Sequence, residues 1–219
     1  MSVGLQMALK AAGRLLESVE RLKRTEVKSL VDQRMKEFKE VGKKPSAEVF
    51  KELCFCILCA NYAAERSMRI QAAIGNGFLD LPEPRLAERL KALGHRFPNT
   101  RARYIIEARR YGDSVKSIIA SFSDAEALRE WLIENVRGIG RKEASHFLRN
   151  IGYTDFAILD FHILNLLARY GLIEKPKTLT ARRYLGIENL LRKLARKARL
   201  RLGELDLYLW YMETGKVLK

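Results

Sequence analysis

The stretch Val136-Arg137-Gly138-Ile139-Gly140-Arg141-Lys142 decides how this chain is read. Two glycines flank one aliphatic residue, which permits a tight turn with positive φ. Upstream, Ser123 and Glu126 have capping-box character for a helix over 123–135. Downstream, a second helix starts at Lys142. Ile139 is then expected to plug the space between the two helices. Backbone N–H groups at the turn and at the second helix's start are expected to face outward, as an anion site that can grip phosphates. Gly138, Gly140 and Arg141 are the candidate contacts.

Outward from this hairpin the periodicity is helical almost everywhere. Leu5, Leu9, Ala12, Leu16 and Val19 recur at three- and four-residue steps, one face of a helix. A second helix is expected over 27–41, stopped by Gly42 and the Lys-Lys-Pro that follows. Ser46 is expected to cap a long apolar helix reaching about residue 60, in an imperfect capping box because residue 49 is Val. Shorter helices are expected over 86–93 and over 100–111, the latter capped by Asn99 or Thr100. More follow from Asp160, Thr180 and Gly203. No stretch alternates with period two, and the five prolines lie between helical segments. The fold class expected is all-α, without internal repeats or low-complexity linkers.

The 219 residues are 47% apolar and 31% charged, enough to bury a sizeable core. Lys and Arg number 41 against 26 Asp and Glu, a net charge of +15 that favours a polyanionic partner, nucleic acid above all. Arg182, Arg183, Arg192, Lys193, Arg196, Lys197, Arg199 and Arg201 crowd one stretch with only Glu188 in opposition. The longest nearly uncharged apolar run, 53–64, has about 12 residues where a bilayer span needs roughly 20. It reads as a buried helix. The N-terminal segment is amphipathic and charged throughout, unlike a secretory signal. Cys54, Cys56 and Cys59 all lie inside the apolar run, so they read as core packing in a reducing cytoplasm. They provide neither a disulfide framework nor a four-thiolate cluster.

Eighteen residues after Lys142 comes Asp160, in Ala157-Ile158-Leu159-Asp160-Phe161-His162, opening an apolar helix. Hairpin, lysine and then an aspartate at a helix start resemble the helix–hairpin–helix DNA glycosylase superfamily, whose bifunctional glycosylase/AP lyases carry the hairpin lysine. More narrowly, the chain resembles the type-2 8-oxoguanine DNA glycosylases. That match rests on Leu93-Gly94-His95-Arg96-Phe97, on Asn99-Thr100-Arg101-Ala102 and on the ending Leu209-Trp210-Tyr211-Met212-Glu213-Thr214-Gly215-Lys216-Val217-Leu218-Lys219. It covers most of the chain from about residue 50 onward.

The resemblance implies two helical lobes flanking a DNA-binding cleft. A six-helix barrel would come from 50–168, and 1–49 with 169–219 would form the second lobe. It implies a monomer that flips 8-oxoguanine from duplex DNA, cuts its glycosidic bond and nicks the strand. Lys142 would be the amine nucleophile. A free lysine, with a pKa near 10.4, is only about 0.04% neutral at pH 7, so burial or a neighbouring cation such as Arg141 must assist. Asp160 would cap its helix and stabilise positive charge on the sugar. His162 would contact a phosphate. Asn61, also suited to a helix C-cap, would face the orphaned cytosine. Phe97 and Trp210, otherwise core aromatics, would sandwich the extruded base.

Guanine presents a lone pair at N7 where 8-oxoguanine presents N–H, so a discriminating reader needs an acceptor there. The resemblance gives that part to the main chain of Lys219. No cofactor and no side-chain metal site are expected, and a monovalent cation at the hairpin carbonyls stays open. The iron–sulfur loop of other superfamily branches is absent from the sequence. Two alternatives remain: a non-catalytic helix–hairpin–helix DNA-binding module, and a related glycosylase/lyase for oxidised pyrimidines.

Overall fold

The computed structural model describes residues 3–219, without the side chains of residues 3–5, 7 and 8. Among the described residues every regular element is helical, as expected. In chain order they are α1 (Val3–Leu22), α2 (Val27–Lys43), α3 (Ser46–Cys59), α4 (Ala64–Ile74), α5 (Gly77–Asp80), α6 (Glu83–Ala92), α7 (Pro98–Ala108), a 3₁₀ turn (Arg109–Tyr111), α8 (Val115–Ser121), α9 (Ala125–Asn135), α10 (Arg141–Asn150), α11 (Phe161–Arg169), α12 (Ala181–Lys197) and α13 (Leu202–Thr214). None of these helices is long and apolar enough to cross a membrane. They form two compact units, Met1–Glu37 with Tyr153–Leu218 and Phe38–Gly152 with Lys219.

In the first unit α13 is central, and α1, α11 and α12 pack against it. Its Leu202, Leu205, Tyr208 and Leu209 are buried. On α1 the buried line is Ala11, Leu15 and Val19, while Leu9 is exposed. The expected face is therefore rotated by about a residue, because a strict four-residue step meets the neighbours; the Leu5 side chain lies outside the described residues. Ahead of α11 the chain runs through a buried non-helical segment whose backbone needs partners. Side chains supply them. Glu188 accepts from Ala157 N (3.2 Å), Asp206 from Ile158 N (2.9 Å), and the Tyr184 hydroxyl donates to Ala157 O (2.6 Å).

The second unit is built around α3, whose residues from Val49 to Cys59 are all buried except Lys51. A helix apolar on every side must be enclosed, and α4, α5, α7, α8 and α10 enclose it. Gly42 does not stop α2, which ends at Lys43, before Pro45. A Cβ at Gly42 would lie 2.1 Å from Ile151 O, so glycine serves close backbone approach there. Ser46 is already the first helical residue of α3, with Pro45 as the flanking one. Residues 64–74, 77–80 and 115–121 form helices that the periodicity did not announce; α4, for one, buries only Ser67, Ile70 and Ile74.

The units divide at 37/38 and 152/153, earlier on both sides than the expected 49/50 and 168/169. Phe38 is buried with the Arg149 guanidinium 4.8 Å above its ring, which binds the end of α2 to α10. The segment before α11 is drawn into the first unit by Tyr184, Glu188 and Asp206.

Gly42→Ala should lower the unfolding free energy by about 1–3 kcal/mol through overpacking, although alanine is the better helix former. Urea denaturation measures it; an unchanged midpoint would mean that the helix end moves aside freely. A second expectation concerns acid. Burial pushes the His95 and His146 imidazoles below their ordinary value of 6.5, helped by Arg101 for His95 and by Arg149, Lys142 and Lys219 for His146. The unfolded chain then takes up protons that the folded chain refuses. This stability is complete above the unfolded value and is lost as pH falls through it. Thermal midpoints recorded from about pH 8 down to about pH 5 should start to drop near pH 6.5. A flat profile would show that neither ring is held neutral.

Candidate active site

The hairpin forms between α9 and α10, both in the second unit. Asp124, not Ser123, caps α9, its carboxylate accepting from Glu126 N and Ala127 N (both 3.1 Å). Gly138 takes φ +86°, and a Cβ there would lie 2.3 Å from the Tyr104 ring, so both conformation and space demand glycine. Ile139 is buried as the plug. Gly140 is extended and leads into α10. Two of the turn's N–H groups are used internally rather than presented outward. Ile139 N donates to Val136 O (3.2 Å), and Gly140 N to the Glu143 carboxylate (3.2 Å).

Arg141 forms a two-pronged ion pair with Glu130 of α9, one arm at 2.7 Å. That hydrogen bond holds the Glu130 carboxyl below the usual carboxylate range. Lys142 lies in the first turn of α10 with its side chain 24% exposed. Its Nζ is 3.0 Å from Glu143 Oε1 and 3.4 Å from Cys59 O. Glu143 thus serves the hairpin through one oxygen and the lysine through the other. Sequence reading missed it. The signal was a glutamate at the third position of the helix, the place from which a side chain reaches back to the N-cap N–H.

Three successive carbonyls at the end of α3 receive side chains from this region. Leu58 O faces His95 Nε2 (3.1 Å), Cys59 O faces Lys142 Nζ, and Ala60 O accepts from Arg101 Nη2 (2.5 Å). Asn61 follows in the left-handed region at φ +57° and is exposed. Phe97 is half-buried just ahead of α7, with Arg96 and Arg101 guanidinium groups 5.0 and 5.8 Å from its ring centre. Its N–H donates to His95 Nδ1 (3.1 Å), so His95 is neutral and carries its proton on Nε2 for Leu58 O. One imidazole therefore links Phe97 to the end of α3.

Lys219 also belongs to this unit. Its Nζ lies 2.7 Å from Glu52 Oε2, 2.5 Å from Gln71 Oε1 and 4.2 Å from the Phe55 ring centre. Glu52, on α3, also accepts from Asn150 Nδ2 (2.6 Å).

Asp160, His162 and Trp210 lie in the first unit. Asp160 caps α11, its Oδ1 accepting from Ile163 N (2.9 Å). The His162 ring stacks on Phe161 (3.8 Å between centres) and meets Trp210 edge-on (4.8 Å). Trp210 is half-buried, its Nε1 enclosed without a hydrogen-bond partner, while Phe161 is 63% exposed. The ten expected residues thus fall into two groups. Asn61, Phe97, Gly138, Gly140, Arg141, Lys142 and Lys219 share one unit; Asp160, His162 and Trp210 share the other. In the basic stretch, Arg192 is engaged by Asp155 (2.8 Å), and Glu188 is buried. The three cysteines are free and buried. Burial pushes their thiols well up, that of Cys59 to about 12. No group of three or more His, Cys, Asp or Glu among the described residues is placed to hold a metal ion.

Comparison with known proteins identifies the family and the fold. The family model for 8-oxoguanine DNA glycosylase matches residues 31–200. The 8-oxoguanine DNA glycosylase/AP lyase of Methanocaldococcus jannaschii is 53% identical over 206 residues, 94% of this chain and 99% of that protein. The crystal structure of the M. jannaschii protein with a 15mer DNA containing 8-oxoguanine superposes with a TM-score of 0.92 at 53% identity, covering 94% of this chain and 100% of that one. The crystal structure of the Thermotoga maritima 8-oxoguanine DNA glycosylase gives 0.89 at 47% identity, covering 95% of this chain and all of that one. With the hairpin, its lysine and this agreement over nearly the whole length, the chain belongs to the 8-oxoguanine DNA glycosylase family.

Proposed function

We infer that the chain is a base-excision repair enzyme, a bifunctional DNA N-glycosylase and AP lyase. It flips 8-oxoguanine from duplex DNA, releases the base and nicks the strand. The observation that carries the chemistry is the position of Lys142, in the first turn after Gly138-Ile139-Gly140, with its amine half-sheltered between Glu143 and Cys59 O. A lysine nucleophile must shed a proton, and Glu143 Oε1 is within reach to accept it. The amine then attacks sugar C1′, the glycosidic bond breaks, and the base leaves with its electron pair, taking up a proton. The amine nitrogen then expels O4′, which takes up a proton as the sugar ring opens, and the Schiff base so formed acidifies C2′–H, so loss of that proton expels the 3′ phosphate.

Asp160, fixed at the start of α11, stabilises the cationic character of the sugar as the bond breaks. Phe97 and Trp210 are read as the flat walls for the extruded base, an arrangement that suits their half-buried rings. His162 and Gly138 are read as phosphate contacts, with Gly140 N–H held by Glu143 and Arg141 bracing the hairpin through Glu130. Asn61, exposed on its left-handed turn, is read as facing the cytosine left behind. Lys219 is read as the residue whose main chain accepts the N7 proton that 8-oxoguanine has and guanine lacks. The reading places a monomer in the cytoplasm, which suits the three free thiols.

Lys142→Gln should abolish borohydride-trapped DNA complexes and strand nicking while duplex affinity stays within a few-fold. Trapping at the normal level would move the nucleophile elsewhere. Asp160→Asn removes the charge but keeps the cap, because asparagine caps about as well. Base release in single-turnover assays should fall by about two to four orders of magnitude with little change in melting temperature. Full activity would reduce Asp160 to a helix cap.

A further inference from the structure

Glu52 stands out in α3. Its neighbours along the helix are Leu53, Cys54, Phe55 and Cys56, its own side chain is 5% exposed, and a carboxylate buried in such company needs charged and hydrogen-bonded partners. It has them. Oε2 meets Lys219 Nζ (2.7 Å) and accepts from Gln71 Nε2 (3.2 Å), while Oε1 accepts from Asn150 Nδ2 (2.6 Å). Asn150 is oriented in turn by Arg149, whose Nε and Nη2 both donate to Oδ1 (3.2 and 3.1 Å). Gln71 adds Oε1 to the ammonium at 2.5 Å, and Phe55 offers its ring face at 4.2 Å. The ammonium of Lys219 is thus held on several sides by residues of α3 and α4. The buried His146 ring also lies close to this residue.

Stability alone gives no reason for this socket, since an apolar side chain in place of a buried ion pair is often neutral or stabilising. What the socket provides is a fixed place for residue 219. We propose that Glu52 is a positioning residue for base selectivity: its buried carboxylate anchors the Lys219 ammonium and so holds the main chain of Lys219 where it can test N7 of an extruded purine. The inference rests on the reading of Lys219 given above and adds the group through which that residue is set. Glu52 itself touches no base. A main-chain acceptor on an unanchored residue would adjust to guanine as readily as to the oxidised base, whereas a fixed one cannot.

The test uses the full chain with Glu52→Gln, Lys219→Met and the double variant. Single-turnover excision from 8-oxoguanine duplexes is measured, with binding preference over guanine duplexes, melting temperature and nicking of a preformed abasic site, which has no base to read. Glu52→Gln should lower excision by about tenfold to a hundredfold, the cost of a small misplacement, and erode the preference over guanine. Abasic-site nicking should fall much less. Lys219→Met leaves the carboxylate buried without its cation and should destabilise the fold; the double variant should regain stability but not excision or preference. Recovery of all three in the double variant would make the pair merely structural and overturn the proposal. So would equal losses of excision and abasic nicking in Glu52→Gln. Normal excision in Glu52→Gln with impaired Lys219→Met would overturn the role of Glu52 and leave that of Lys219 standing. Normal excision and preference in Lys219→Met, which keeps the main chain, would likewise overturn the anchoring; normal excision and preference after deletion of residue 219 would instead remove the reading of Lys219. Should Glu52→Gln fold poorly, Gln71→Met loosens the socket from its other side and should shift excision and preference the same way, less strongly; no shift there would count against the proposal.

Discussion

A helix must end, and where it ends its last carbonyls have no partner of their own. In the second unit that ordinary requirement falls on α3, a helix too apolar to expose any side. Water cannot satisfy carbonyls enclosed in this way, so other groups of the protein must. His95 and Arg101 do so at Leu58 and Ala60, and at Cys59 the Tyr62 N–H (3.2 Å) shares the carbonyl with Lys142. The groups around the end of the core helix therefore include residues to which the proposed chemistry assigns a part. Lys142 reaches a carbonyl that a backbone N–H also serves, Phe97 is held by the imidazole at the preceding carbonyl, and Asn61 lies in the turn that follows. Cations at this end are also favoured by the helix dipole, whose C-terminal end is negative.

The first unit meets a comparable requirement differently. Here it is a short non-helical stretch, 157–159, that is buried and needs partners. Two buried carboxylates and a tyrosine from α12 and α13 provide them. A segment held in this way has little freedom, and Asp160, the next residue, inherits its rigidity. In the role proposed for it, a carboxylate fixed by the backbone behind it and by a cap ahead of it needs little reorganisation as charge develops nearby.

Much of this was legible in the sequence, for identifiable reasons. Gly138-Ile139-Gly140 announces its turn because no other residue type takes φ +86° against a tyrosine ring. Asp160 announces its cap because capping is local chemistry. What escaped was long-range. Gly42 looks like a helix stop until Ile151 O is seen beside it. Asp124 and Ser123 are equally good caps on paper, and only the backbone geometry selects the former. Leu9 fits the apolar stripe of α1 but is left exposed because neighbouring helices meet a slightly different face. Glu52 stands just ahead of the apolar run 53–64 with nothing local to mark it, since its partners lie 19, 98 and 167 residues away.

The three buried cysteines carry a consequence of another kind. Oxidants react with thiolates, and reaction at a thiol depends on how readily it ionises and on access. Cys54, Cys56 and Cys59 have neither advantage: all are buried, and burial holds each in its protonated form. The same oxidants that turn guanine into 8-oxoguanine therefore find no ready sulfur target in the helix that supports Lys142. The core helix is thus chemically quiet towards the agents whose damage the family mends.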